Sequence, residues 1–151
     1  MKISVIEGCA VSEPEILIKC KRLDGELKAV VDKLELISHR LECRREGGKY
    51  MVSVKDVYYI ESVDERTFVY CKDSLYECEQ RLYKLESLLS RGDFVRISKS
   101  CILNIRKLKC VRPLLNGKME ASLINGEKQV INRHYLKGFK EKFGLGGHNN
   151  G

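Results

Sequence analysis

The sequence predicts an α+β fold dominated by antiparallel β-strands with short helices, preceded by a small N-terminal strand/helix segment. Three observations carry this. Between His39 and Gln80, short strand-like runs are broken by Gly47-Gly48 and by the polar stretch VDERT, as in a meander. Asn116-Gly117 and Asn125-Gly126 each lie between apolar or alternating runs, and this dipeptide suits both central positions of a type I′ hairpin turn. Helical periodicity is confined to short stretches, about 25–38, 81–89 and 133–143.

Taken in order, KISVIEG (2–8) reads as a short strand. Behind Pro14, residues 15–20 alternate Ile16, Ile18 and Cys20 with Glu15, Leu17 and Lys19, which predicts a second strand. Ile16, Cys20, Leu23, Leu27, Val30, Leu34 and Ile37 also fit the alternate four and three spacing of a coiled-coil seam. Asp24-Gly25 argues against one long helix, because Asp is a good N-cap and glycine inside a helix costs about 1 kcal/mol relative to alanine. The reading is therefore a strand, then a helix over 25–38 whose stripe (Leu27, Val30, Val31, Leu34, Ile37) covers a sheet.

After His39 the predicted strands are LECRRE, YMVSV, DVYYIES, FVYCK and LYECEQ. RLYKLESLL (81–89) puts Leu82, Leu85, Leu88 and Leu89 on one face of a short helix closed by Arg91-Gly92, joining two sheet regions. The runs VRPLL, KMEASLI and EKQVI make two successive hairpins around the Asn-Gly pairs. A last helix, Arg133 to Phe143, stops at Gly144, and the Gly/Asn-rich end is expected to be disordered. The expected organisation is an N-terminal segment 1–45, a domain 46–144 and a tail 145–151.

At 151 residues the chain is sized for one domain that buries about two-thirds of its unfolded surface. Hydrophobic residues make up 43% and charged residues 32%, which excludes composition-driven disorder and a membrane-embedded class. Neither a membrane-length apolar run nor a signal peptide is present, so the expected location is the cytoplasm. The seven cysteines are odd in number, without a CxxC, and the three histidines are scattered. Small buried hydrophobes in a reducing compartment are expected, not a disulfide scaffold or metal site.

Charge is distributed unevenly. Residues 1–60 hold 11 basic and 10 acidic groups, residues 61–90 hold 4 and 7, and residues 91–151 hold 13 and 4. One sign concentrated in one region suits a polyanion such as nucleic acid. The focus is FVRISKSCILNIRKLKCVR (94–112), with six lysines and arginines and no acid. Phe94, Val95, Ile97, Ile102, Leu103 and Ile105 supply core material, while Arg96, Ser98, Lys99, Ser100, Asn104 and Arg106 supply donors. Such donors on a strand-turn-strand scaffold suit phosphate oxygens, and a cation from the same loop can read guanine O6 and N7.

The order Phe94, Arg96, Lys99, Ser100, Leu103, Asn104 and Leu108, followed by two hairpins and then Val130, Asn132, Arg133 and Tyr135, resembles the LytTR family of bacterial DNA-binding domains. DVYYIES and the helix 81–89 add to the likeness, which covers about residues 50 to 143. It implies an elongated domain of mostly antiparallel strands, without a helix-turn-helix, whose loops enter successive major grooves of duplex DNA at direct repeats. Residue by residue, it implies base reading by Arg66, Lys99 and Arg133. Phosphate binding or loop shaping would fall to Arg96, Ser98, Ser100, Asn104, Arg106, Lys107, Asn132, Tyr135 and Lys137. Ser98 and Asn132 depart from the residues many members carry there, His and Ser, which implies an altered site preference. A small stand-alone regulator without a receiver domain is expected, homodimeric at least on DNA. Its expected partners include a regulatory membrane protein and no small-molecule substrate. The N-terminal segment is expected to serve dimerisation or that partner.

Two other classes fit the composition. An RNA-binding module would need exposed aromatics for stacking, of which the basic region offers chiefly Phe94, Tyr135, Phe139 and Phe143. A redox-sensing interaction protein would use Cys71, Cys78, Cys101 and Cys110. No Gly-rich phosphate loop, HExxH, nucleophile elbow or paired metal ligands appear, so no enzymatic activity and no cofactor are expected.

Overall fold

The computed structural model describes residues 1–144, and the expected disordered tail lies outside them. Among the described residues ten strands form two antiparallel sheets. The larger contains β1 (Arg40–Arg45), β2 (Gly48–Ser53), β3 (Tyr59–Val63), β4 (Arg66–Tyr70), β5 (Leu75–Cys78), β6 (Phe94–Ser98) and β7 (Cys101–Asn104), in the order β2-β1-β5-β4-β3-β7-β6. The smaller is a meander of β8 (Leu108–Pro113), β9 (Met119–Leu123) and β10 (Lys128–Ile131). The helices are α1 (Gly25–Ile37), α2 (Leu82–Leu89) and α3 (Leu136–Phe143).

The alternation of side chains along the strands sorts them into two cores. Ile60 and Ile102, opposite each other on β3 and β7, pack with Val69, Leu82, Leu85 and Leu89 on the face that α2 covers. One residue along, Tyr59 and Leu103 turn to the other face and meet Ala121, Leu123, Ile131 and Phe139 of the small sheet and α3. The central strands are thus covered on both faces, which is why Cys101–Asn104 is buried throughout. Tyr59 Oη donates to Glu127 Oε2 at 2.7 Å, tying the large sheet to the loop before β10.

The α+β, β-dominated reading holds, and several details differ. Residues 2–8 and 15–20 form no strands, and nearly every side chain there is exposed. A strand needs an edge to pair with, and these residues lie against none of the sheet edges of the described chain. The helix 25–38 is present, with Asp24 accepting from Leu27 N at 2.8 Å as its N-cap. Its predicted stripe is only partly covered, with Val30 and Ile37 exposed. The buried contact is Leu36, seated where a Cβ on Gly92 would stand 2.5 Å from it.

The expected boundary at residue 45 divides a hairpin, since β1 pairs with β2 from Arg40↔Ser53 to Arg45↔Gly48 and buries Leu41 and Cys43. The turn there is Glu46-Gly47, both with positive φ, one residue earlier than Gly47-Gly48. Helix α2 joins two sheet regions as expected, both within the larger sheet, carrying the chain from β5 to the edge strand β6. Both Asn-Gly hairpins exist, with longer loops than a two-residue turn. Leu114 bonds Lys118 around Leu115–Gly117, and Leu123 bonds Glu127 around Ile124–Gly126. Helix α3 ends on left-handed Gly144 (φ 81°), as expected of a C-cap glycine.

Candidate nucleic-acid interface

Three chain reversals gather at one end of the large sheet. The β3–β4 turn (Asp64-Glu65) and the β6–β7 turn (Lys99-Ser100) are neighbours because β3 pairs with β7, and Ser62 N donates to Ser100 O at 2.8 Å. The 3-10 turn Arg133–Tyr135 joins them through Asn132 N, which donates to Ile97 O at 2.9 Å beside the end of β6. Residues 66, 99 and 133 are far apart in sequence, yet they leave the fold at the same end.

The Lys99 turn is held from beneath. Ser98 Oγ accepts from Ser100 N at 3.2 Å. Arg96 donates to Ser98 O at 2.7 Å, to Lys99 O, and to Glu86 Oε1 of α2 at 2.6 Å. With its side chain only 21% exposed, Arg96 clamps the turn against the helix and shapes the loop. Lys99 itself is exposed and has no ion-pair partner among the described residues.

Arg66 stands first on β4 and is engaged sideways. It makes a bidentate pair with Glu77 of β5 (Nε–Oε2 3.0 Å, Nη2–Oε1 2.7 Å), and its guanidinium lies 5.2 Å from the Phe68 ring centroid. The hydrogen-bonded Arg66 holds the Glu77 carboxyl below its usual value. Asp64 and Glu65, the sequence neighbours, are not its partners: Glu65 meets Arg81 at 3.5 Å, and both tip residues take left-handed φ (50° and 65°).

Arg133 is exposed, without an ion-pair partner among the described residues. Its aliphatic stem lies over Gly117, where a Cβ would stand 2.9 Å from Cδ. The Asn116-Gly117 loop therefore supports Arg133, a link the sequence signals only through a Gly-requiring turn (φ 71°). Asn132 and Tyr135 are half-buried and Lys137 is exposed on the first turn of α3.

The end of β7 and the turn after it sit differently. Asn104 is 2% exposed, donates to Val57 O at 2.8 Å and accepts from Arg106 N at 3.0 Å. It caps the 3-10 turn Ile105–Lys107. Burial removes it from phosphate contact and leaves it the loop-shaping role. Arg106 is exposed and 3.5 Å from Asp93, and the Lys107 ammonium lies 5.0 Å from the Tyr58 ring centroid.

Sequence reasoning passed over two further cations at the paired end, Arg44 and Arg81, held 3.5 Å from Glu79 and Glu65 respectively. It also passed over Lys142, which donates to Ser90 O and Gly92 O and closes the α2–β6 turn. Burial raises the thiols of Cys71 and Cys101 to about 11 and about 12, which keeps them protonated and poorly nucleophilic. Among the described residues no cluster of three or more His, Cys, Asp or Glu could hold a metal ion, and no helix is long and apolar enough to cross a membrane.

A turn that exposes an unpaired cation on a rigid base suits anionic or base-edge acceptors. The family model described as the LytTr DNA-binding domain matches residues 47–144. The chain belongs to the LytTR family. The LytTr DNA-binding domain of a Bacillus cereus protein superposes with a TM-score of 0.67 at 24% identity, over 71% of this chain and 98% of that one, and so shares its fold. The sensory transduction protein LytT of Enterococcus faecalis is 29% identical over 72% of this chain and 45% of its own length. The chain spans about half the length of the LytT proteins it matches. An HTH-type transcriptional regulator of Staphylococcus aureus is 24% identical over 96% of this chain and 99% of its own. Among the described residues of the present LytTR chain the three helices are separated by strands, so none makes a helix-turn-helix. Family and fold are those of a DNA-binding domain, not of an enzyme.

Proposed function

We propose that this LytTR protein is a sequence-specific transcriptional regulator that binds duplex DNA, at direct repeats, by inserting the Lys99 and Arg133 turns into successive major grooves. The supporting observation is that these two cations, unpaired among the described residues, leave one end of the fold, held there by the Arg96 clamp and the Asn132–Ile97 hydrogen bond. Lys99 and Arg133 read bases. Arg66 joins them by exchanging Glu77 for a base or phosphate. Ser98, Ser100, Asn132, Tyr135 and Lys137 line the approach, and Arg106 and Lys107 meet phosphates farther along the chain.

The protein acts in the cytoplasm, two copies to an operator, with a membrane protein as its restraining partner. Selection of bound sequences from a random duplex pool should return a repeated half-site, and gel shifts should rank that duplex above single-stranded DNA and RNA. Preference for RNA, or selection without a recurrent half-site, would overturn the reading.

A further inference from the structure

Residues 1–24 hold large apolar side chains in the open, Ile16 at 71% and Leu17 at 78% exposure among them, on backbone that belongs to no helix or strand. Among the described residues the stretch 12–23 makes no backbone hydrogen bond. Exposed apolar strand-forming sequence with free N–H and C=O groups is a template for pairing with another chain.

The sequence of this stretch specifies what that chain is. EPEILIKCK (13–21) is self-complementary when reversed about Leu17. Antiparallel pairing of two copies sets Glu13 opposite Lys21, Glu15 opposite Lys19, Ile16 opposite Ile18, and Leu17 opposite itself. Every charged residue then faces its opposite, which cross-strand geometry favours. Alternation places Ile16, Ile18 and Cys20 of both copies on one face and the ion pairs on the other. With Leu17 in a hydrogen-bonded position, Pro14 falls three residues away in a non-hydrogen-bonded one, where its missing N–H breaks no bond. Shifting the register by two residues either way sets at least one glutamate against an uncharged residue, so the charges select one alignment.

We propose that residues 13–21 pair with the same residues of a second copy as an antiparallel ribbon centred on Leu17, making the protein a homodimer away from DNA. A two-stranded ribbon is marginal alone. The exposed Val30 and Ile37 of α1, beside an open groove of ≈ 470 Å³ lined also by Leu34, Val54 and Phe94, give its apolar face a surface to cover. The ribbon ties two domains together without fixing their orientation, so it is compatible with half-sites repeated in one direction. It extends the two-copy complex proposed above, but the dimerisation it predicts is measured without DNA.

The experiment is sedimentation equilibrium on the full chain in the micromolar range, with Glu15→Lys and Lys19→Glu variants alone and mixed. Wild type should dimerise. Each variant alone sets like charges together twice per dimer and should associate about tenfold more weakly. The equimolar mixture restores both ion pairs and should regain wild-type association. Thermal melts matching wild type would show that neither variant has unfolded the domain. A monomeric wild type, an unaffected Glu15→Lys, or a mixture no stronger than its components would each overturn the proposal. Loss of dimerisation with retained binding to a single half-site would leave the DNA reading standing.

Discussion

The β3–β4 tip and the β6–β7 tip are adjacent reversals on one sheet, and they treat their cations oppositely. Around the first, Arg44, Arg66 and Arg81 each face a glutamate, Glu79, Glu77 and Glu65. Around the second, the only engaged cation is Arg96, which is spent on the turn's own carbonyls and Glu86, while Lys99 and the neighbouring Arg133 point out unpaired among the described residues. The lesson concerns availability. A cation already neutralised must release an acid before it can meet a phosphate, whereas an unpaired one on a clamped turn has only its own side-chain freedom to lose.

The contrast breaks most severely if its clamp is removed. Arg96→Met should strip two carbonyl anchors from the Lys99 turn, lowering stability by about 1 to 2 kcal/mol after discounting for its partial exposure. It should also lower affinity for the preferred duplex by at least as much as loss of Lys99. Denaturant melts and fluorescence anisotropy would measure both, and an unchanged affinity would mean that the turn needs no clamp.

Next in size, Lys99→Ala and Arg133→Ala should each cost about 1 to 3 kcal/mol on the preferred duplex and less on random DNA. Equal losses on both would make them phosphate contacts. Lys107→Ala should weaken all sequences alike and reduce the salt slope by about 1. Salt titration of the binding constant measures it.

The smallest effect is expected at the paired tip. Arg66→Ala should reduce specific affinity less than Lys99→Ala, and Glu77→Gln, which frees Arg66, should raise affinity for any duplex. A loss at Arg66 matching that at Lys99 would erase the distinction between the tips. The pair also has a pH signature. Arg66 holds Glu77 below its usual 4.5, so the pair's contribution to stability is full above that value and is lost as pH falls through the lowered one. Wild type should therefore lose more stability in acid than the Glu77→Gln variant.

Local chemistry was legible from residues 40 to 143. Period-two alternation, turn dipeptides and the leucine-rich 81–89 marked most elements because each signal is local, and left turn positions and lengths and the boundary at residue 45 to be corrected. The charge asymmetry was legible too, and with it the Lys99 turn. Other features depended on partners distant in sequence. Residues 2–8 and 15–20 carry strand patterns, but a strand exists only when another edge takes its hydrogen bonds, and in the described chain these residues pair with none. Asn104 looked like a free donor until Val57 and Arg106 claimed it.

The sequence by itself determined which segments alternate, where the chain reverses, and that positive charge collects after residue 90. Only the tertiary structure decided which of those charges are unpaired, because the answer lies in cross-strand neighbours such as Glu77 opposite Phe68, beside Arg66. It also decided that Arg133 stands beside the Lys99 turn, through a hydrogen bond between Asn132 and Ile97. Periodicity is a property of a segment. Ion pairing and convergence are properties of segments that folding brings together.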